Sequence, residues 1–128
     1  MTSRSIAVLG AVCGSLAVAA GAFGAHSLKA ILDADRLVLF ETAARYQMYH
    51  ALALVCCGLA ERQLGGRACR AAAWAFLAGI LLFSGSLYAL AFSGWRWLGA
   101  LTPLGGVAFL VGWGLLAWGC WGGRAAAD

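Results

Sequence analysis

Charge is scarce in this sequence. Only 11% of its 128 residues are Asp, Glu, Lys or Arg, against roughly 25% in soluble globular domains. Paired cysteine spacing is missing too. Cys13, Cys56, Cys57, Cys69 and Cys120 include no CxxC step, which excludes a zinc site and a disulfide-stapled secreted domain on spacing. No segment alternates polar with apolar residues, so membrane strands are excluded. What the chain has instead is apolar mass, at 63% of all residues. A folded chain of this size leaves about a third of its unfolded surface exposed, so a small soluble domain cannot hide it. An integral membrane protein remains.

The net charge of +4 does not describe a nucleic-acid binder. Arg4, Lys29, Arg36, Arg45, Arg62, Arg67, Arg70, Arg96 and Arg124 punctuate apolar stretches rather than forming a basic stripe. Crossing about 30 Å of hydrocarbon takes about 20 helical residues. Four stretches reach that length, at about 5–25, 40–60, 71–92 and 98–121. The expected fold is therefore all-α, a four-helix transmembrane bundle forming a single integral-membrane domain over residues 1–128. The first stretch also carries signal-peptide features, with Arg4 ahead of an apolar core and Ala17-Val18-Ala19 as a cleavage-like triplet. Its apolar run continues past that triplet to Phe23, so it reads as a retained span.

An even span count puts both termini on one side. That side carries Arg4, Arg62, Arg67, Arg70 and Arg124, and the compact Arg62–Arg70 group identifies it as the cytoplasmic one. Trp95 and Trp97 belt the outer interface, while Trp74, Trp118 and Trp121 belt the inner one; only Trp113 falls well inside a span. Small residues offer helix-packing faces. Gly10 and Gly14 make a GxxxG step continued by Ala17 and Gly21, and Gly105, Gly112 and Gly119 recur every seven residues. Ala71, Ala75 and Gly79 recur every four residues on the third span.

Threading the topology gathers the polar side chains in the outer half of the bilayer. His26 closes the first span, and Glu41, Arg45, Tyr46, Gln47 and His50 open the second. Ser84 and Tyr88 lie in the outer half of the third, and Thr102 starts the fourth. At about 100° per residue, Tyr46, Gln47 and His50 share a face of the second helix. Glu41, Arg45 and Tyr49 make a separate stripe, on which Glu41 and Arg45 stand at i,i+4 and can pair. Ser84 and Tyr88 share a face of the third helix, with Ser86 pointing elsewhere. Every carboxylate (Asp33, Asp35, Glu41, Glu61, Asp128) lies near a span end or beyond it.

Several segments together resemble the YgdD family of small bacterial inner-membrane proteins. They are Met1-Thr2-Ser3-Arg4, Gly21-Ala22-Phe23-Gly24-Ala25-His26, Tyr46-Gln47 with His50, Phe83-Ser84-Gly85-Ser86-Leu87-Tyr88, and Thr102-Pro103-Leu104-Gly105-Gly106 with Gly112-Trp113. The resemblance implies four helices and the bacterial inner membrane, and brings no activity, substrate or cofactor with it.

The residues point first to a non-catalytic interaction or assembly module, in contact with membrane lipids and with a second copy or another membrane protein. The alternative is a carrier or channel for a small solute, ion or lipid. His50 would then be the titrating group, since its reference pKa near 6.5 suits proton exchange. A haem held by His26 and His50 is opposed by the roughly 12 Å that separates them along the membrane normal. A lipid-directed hydrolase would need Ser84 or Ser86 as nucleophile with His50 as base, and no elbow motif surrounds either serine. No residue is assigned a catalytic, cofactor or metal role.

Overall fold

The computed structural model describes residues 1–122; Arg124 and Asp128 lie outside them. Four helices make the fold: α1 (Ser3–His26), α2 (Ala34–Leu64), α3 (Arg67–Ser93) and α4 (Thr102–Gly122). Local chemistry sets their ends. The Thr2 hydroxyl accepts from the Ser5 N–H while the Ser5 hydroxyl accepts from the Thr2 N–H, a reciprocal cap that starts α1. Asp33 accepts from the Arg36 N–H at 2.9 Å and starts α2. This cap extends α2 well before the expected start at residue 40. The fourth helix begins at Thr102, later than expected, because Arg96–Ala100 wind as a short 3-10 turn before it.

The turn between α2 and α3 needs Gly65 and Gly66, whose φ angles of 68° and 107° an L side chain rarely adopts. Both ends of the described chain sit at the same end of the bundle as that turn. At the opposite end the two remaining connections meet, with the Arg36 guanidinium lying against Gly94.

α1 packs on α2, α4 packs on α3, and α2 meets α3 between them. Ten residues of α2 are buried against four of α1, so α2 is the central element. It is also the polar one. α1, α3 and the Arg96–Gly122 segment are long and apolar enough to cross a membrane, whereas α2 is not among them. Arg45, Gln47 and His50 interrupt its apolar run. The four stretches are thus unequal where the sequence reading treats them alike.

α3 is not a uniform helix. One π turn, Ile80–Ser84, interrupts it, and the Gly85 N–H donates to the Ile80 carbonyl across that turn. The extra residue rotates the rest of α3 by about 100° relative to an unbroken α-helix.

Glycine brings the helices together. A Cβ at Gly10 would stand 2.8 Å from the Ala51 carbonyl oxygen, so α1 and α2 touch through backbone. Between α3 and α4 the pairing is reciprocal. Gly105, Gly112 and Gly119 of α4 face Phe83, Phe76 and Cys69 of α3, and Gly79 of α3 faces the Phe109 ring. Each pair sums to the same register in the antiparallel pairing. Gly14 makes only ordinary contact with Ala51 and Met48, and Gly21 faces open space.

These contacts separate the glycines by their stability effects. Gly112→Leu, whose Cβ would meet the Phe76 ring at 2.6 Å, is expected to destabilise by about 1–3 kcal/mol through overpacking. Gly21→Ala is expected to stay within about 0.5 kcal/mol of the parent. Thermal unfolding of the purified protein in detergent measures both.

Candidate functional site

Two side chains three residues apart on α2 connect it to every other helix. Gln47 is 7% exposed. Its Nε2–H donates to the Cys13 carbonyl of α1 at 2.9 Å, and its Oε1 accepts from the Tyr88 hydroxyl of α3 at 3.0 Å. His50, one turn further, reaches α4: the Trp113 Nε1–H donates to His50 Nε2 at 3.3 Å. The other ring nitrogen, Nδ1, lies 2.7 Å from the Tyr46 carbonyl of its own helix.

These partners determine the tautomer. A carbonyl can only accept, so Nδ1 carries the hydrogen; an indole N–H can only donate, so Nε2 carries the lone pair. The imidazole is neutral and both its nitrogens are engaged. Its ring lies flat on Phe109, with centroids 3.4 Å apart and planes 4° from parallel, and Phe76 approaches at 5.6 Å. A metal or a haem iron would need Nε2, which Trp113 occupies.

The remaining candidates divide. Ser86 donates to the Phe83 carbonyl at 3.0 Å and pairs with Thr102 of α4 at 3.0 Å. Ser86 thus faces α4 while Tyr88 faces α2, the different directions that helical rotation gives them. Ser84 is fully buried and its hydroxyl has no partner. Among the described residues neither serine bonds to His50, whose ring meets Tyr46 and Trp113 instead. Tyr46 is half-exposed and stacks on Phe83, with centroids 4.7 Å apart.

Glu41 and Arg45 are both exposed and line a shallow groove with Ala17, Gly21, Ala44 and Met48. The Glu41–Arg45 ion pair that their i,i+4 spacing allows does not form. The ion pairs among the described residues are Arg36–Asp33 at 3.4 Å and Arg70–Glu61 at 3.7 Å, both at helix ends. With its carboxylate exposed, Glu41 gains little from holding a guanidinium in one geometry. His26 is exposed at the end of α1, apart from the network. All five cysteines are free; Cys57 and Cys69 are buried, Cys13 partly so, and Cys56 and Cys120 exposed.

Beside His50 a cleft of about 390 Å³ opens between α2 and α4, walled by Tyr46, Tyr49, Phe83, Phe109, Leu110 and Trp113. Its lining is almost wholly aromatic and aliphatic. No cluster of three or more His, Cys, Asp or Glu side chains suited to a metal occurs among the described residues.

Comparison with known proteins gives the chain relatives. A family model described as "Protein of unknown function (DUF423)" matches residues 20–106. The chain is 48% identical over 107 residues to the UPF0382 membrane protein YwdK of Bacillus subtilis, covering 83% of this chain and 87% of that one. To a UPF0382 membrane protein of Haemophilus influenzae it is 44% identical over 109 residues, covering 85% and 87%. To the UPF0382 inner membrane protein YgdD of Escherichia coli it is 41% identical over 122 residues, covering 91% and 88%. No solved structure matches it.

The Gln47–Tyr88 bond is open to direct measurement. Tyr88→Phe is expected to cost about 1 kcal/mol of stability, the scale of an interhelical hydrogen bond in a membrane bundle. Combined with Gln47→Leu, its effect should shrink by most of that amount. A double-mutant cycle on unfolding in mixed micelles gives the coupling.

Proposed function

The chain belongs to the DUF423 family of membrane proteins, and on that footing we propose that it is a non-catalytic assembly module of the bacterial inner membrane. In this reading the four helices form a bundle that associates with a second copy of itself or with another membrane protein. One observation carries the reading: the buried polar groups of α2 are committed to bonds within the protein. Gln47 is held by Cys13 and Tyr88, and His50 by Tyr46 and Trp113. These bonds leave neither ring nitrogen of His50 open to a substrate. Here they join helices.

The carrier alternative asks His50 to titrate. Protonation at Nε2 would remove the lone pair that Trp113 uses and set two N–H donors against each other. The aromatic surroundings supply no carboxylate to take up the charge. This weighs for the assembly reading, which also has both termini and the Gly65–Gly66 turn in the cytoplasm, where Arg62, Arg67 and Arg70 belong by the positive-inside rule. All four helices then cross the bilayer, α2 shielded by its neighbours.

The decisive experiment is native mass spectrometry of the full chain in lipid nanodiscs taken directly from cells. A discrete multimer, or a stoichiometric complex with a second membrane protein, is expected; a bare monomer overturns the proposal. His50→Phe keeps a flat ring against Phe109 but loses both hydrogen bonds. It is expected to lower the melting temperature and leave the assembly state unchanged. Altered assembly at unchanged stability would instead assign His50 a ligand role.

A further inference from the structure

The end of the bundle where the described residues begin and end holds a second feature, independent of the assembly reading. Gly58 lets α2 close on α1 there, since a Cβ would stand 2.8 Å from the Ala7 nitrogen and from the Ser3 carbonyl oxygen. Beside this crossing lies a cleft of about 550 Å³, lined among others by Ser3, Arg4, Val8, Leu59 and Arg62. Two guanidinium groups on different helices therefore flank one opening. Both arginines are exposed, and among the described residues neither makes an ion pair. Glu61, the neighbouring carboxylate, is engaged by Arg70 at 3.7 Å.

The wall continues as hydrocarbon. Val8 and Leu59 are 55% and 53% exposed and carry the cleft onto the flank of the helices. The first turn of α1 has no acidic residue, so the positive end of its dipole adds to the field of the arginines. A cationic mouth above an apolar wall, at a helix end, complements one ligand chemistry: a phosphate diester attached to acyl chains. Arginine suits the phosphate because its planar fork binds two oxygens together. Basic pockets between helix ends take lipid headgroups on this principle.

We propose that the Arg4–Arg62 cleft binds one anionic phospholipid, its phosphate between the two guanidinium groups and a chain along Val8 and Leu59. The test uses the full chain in nanodiscs of equal phosphatidylglycerol and phosphatidylcholine, with retained lipid read by native mass spectrometry. The protein is expected to keep phosphatidylglycerol in preference. R4Q and R62Q should each reduce that preference by about fivefold, and R4Q/R62Q should abolish it. Arg96→Gln, at the opposite end of the bundle, should leave it intact.

Equal retention of the two lipids by the parent protein would overturn the proposal. So would an unchanged preference in all three cleft variants, or an equal loss in Arg96→Gln. Displacement of the bound lipid by millimolar inorganic phosphate would make the cleft a site for a free anion and overturn the lipid assignment.

Discussion

A buried amide in an apolar bundle has no water to fall back on, and the arrangement of this protein depends on how Gln47 meets that constraint. Both ends of its side chain are satisfied, by the α1 backbone and by the Tyr88 hydroxyl of α3. Leaving either group unpaired would cost about 1 kcal/mol. The amide therefore discriminates among packings that dispersion alone would treat as nearly equal. His50 applies the same logic toward α4 through Trp113. Four helices are held in register by two side chains of the least apolar among them.

The same bonds define what the centre offers chemically. The imidazole is a neutral spacer between a backbone carbonyl and an indole, pressed against a phenyl ring. The cleft beside it presents aromatic and aliphatic faces. The chain's relatives are membrane proteins of a family whose description assigns no activity; the hydrogen bonds of the polar centre join α2 to the other three helices.

Much of the fold is legible in the sequence because its signals are local. Apolar runs of about twenty residues, bounded by Asp33, Gly65-Gly66 and Gly94, mark where helices begin and end. The polar face of α2 follows from rotation of about 100° per residue, which sets Gln47 and His50 together. Their partners are harder to read. The Cys13 carbonyl is backbone and carries no residue signature. Trp113 does carry one, being the tryptophan placed away from both interfaces, and that depth is the clue to a buried partner. The π turn at Ile80–Ser84 is not legible, because the flanking Gly79 and Gly85 do not by themselves demand such a turn. The difference between α2 and its neighbours escapes a length criterion and emerges once Arg45, Gln47 and His50 are weighed against the apolar residues around them.

The facing of glycines and rings between α3 and α4 has a mechanical consequence. With Gly105, Gly112 and Gly119 opposite Phe83, Phe76 and Cys69, and Gly79 opposite Phe109, displacing either helix lengthwise by a turn would drive aromatic bulk into backbone. Gradual shear along this seam is blocked, like the travel of a key past its wards. Any large rearrangement must carry α3 and α4 as one rigid hairpin, pivoting where α2 meets them.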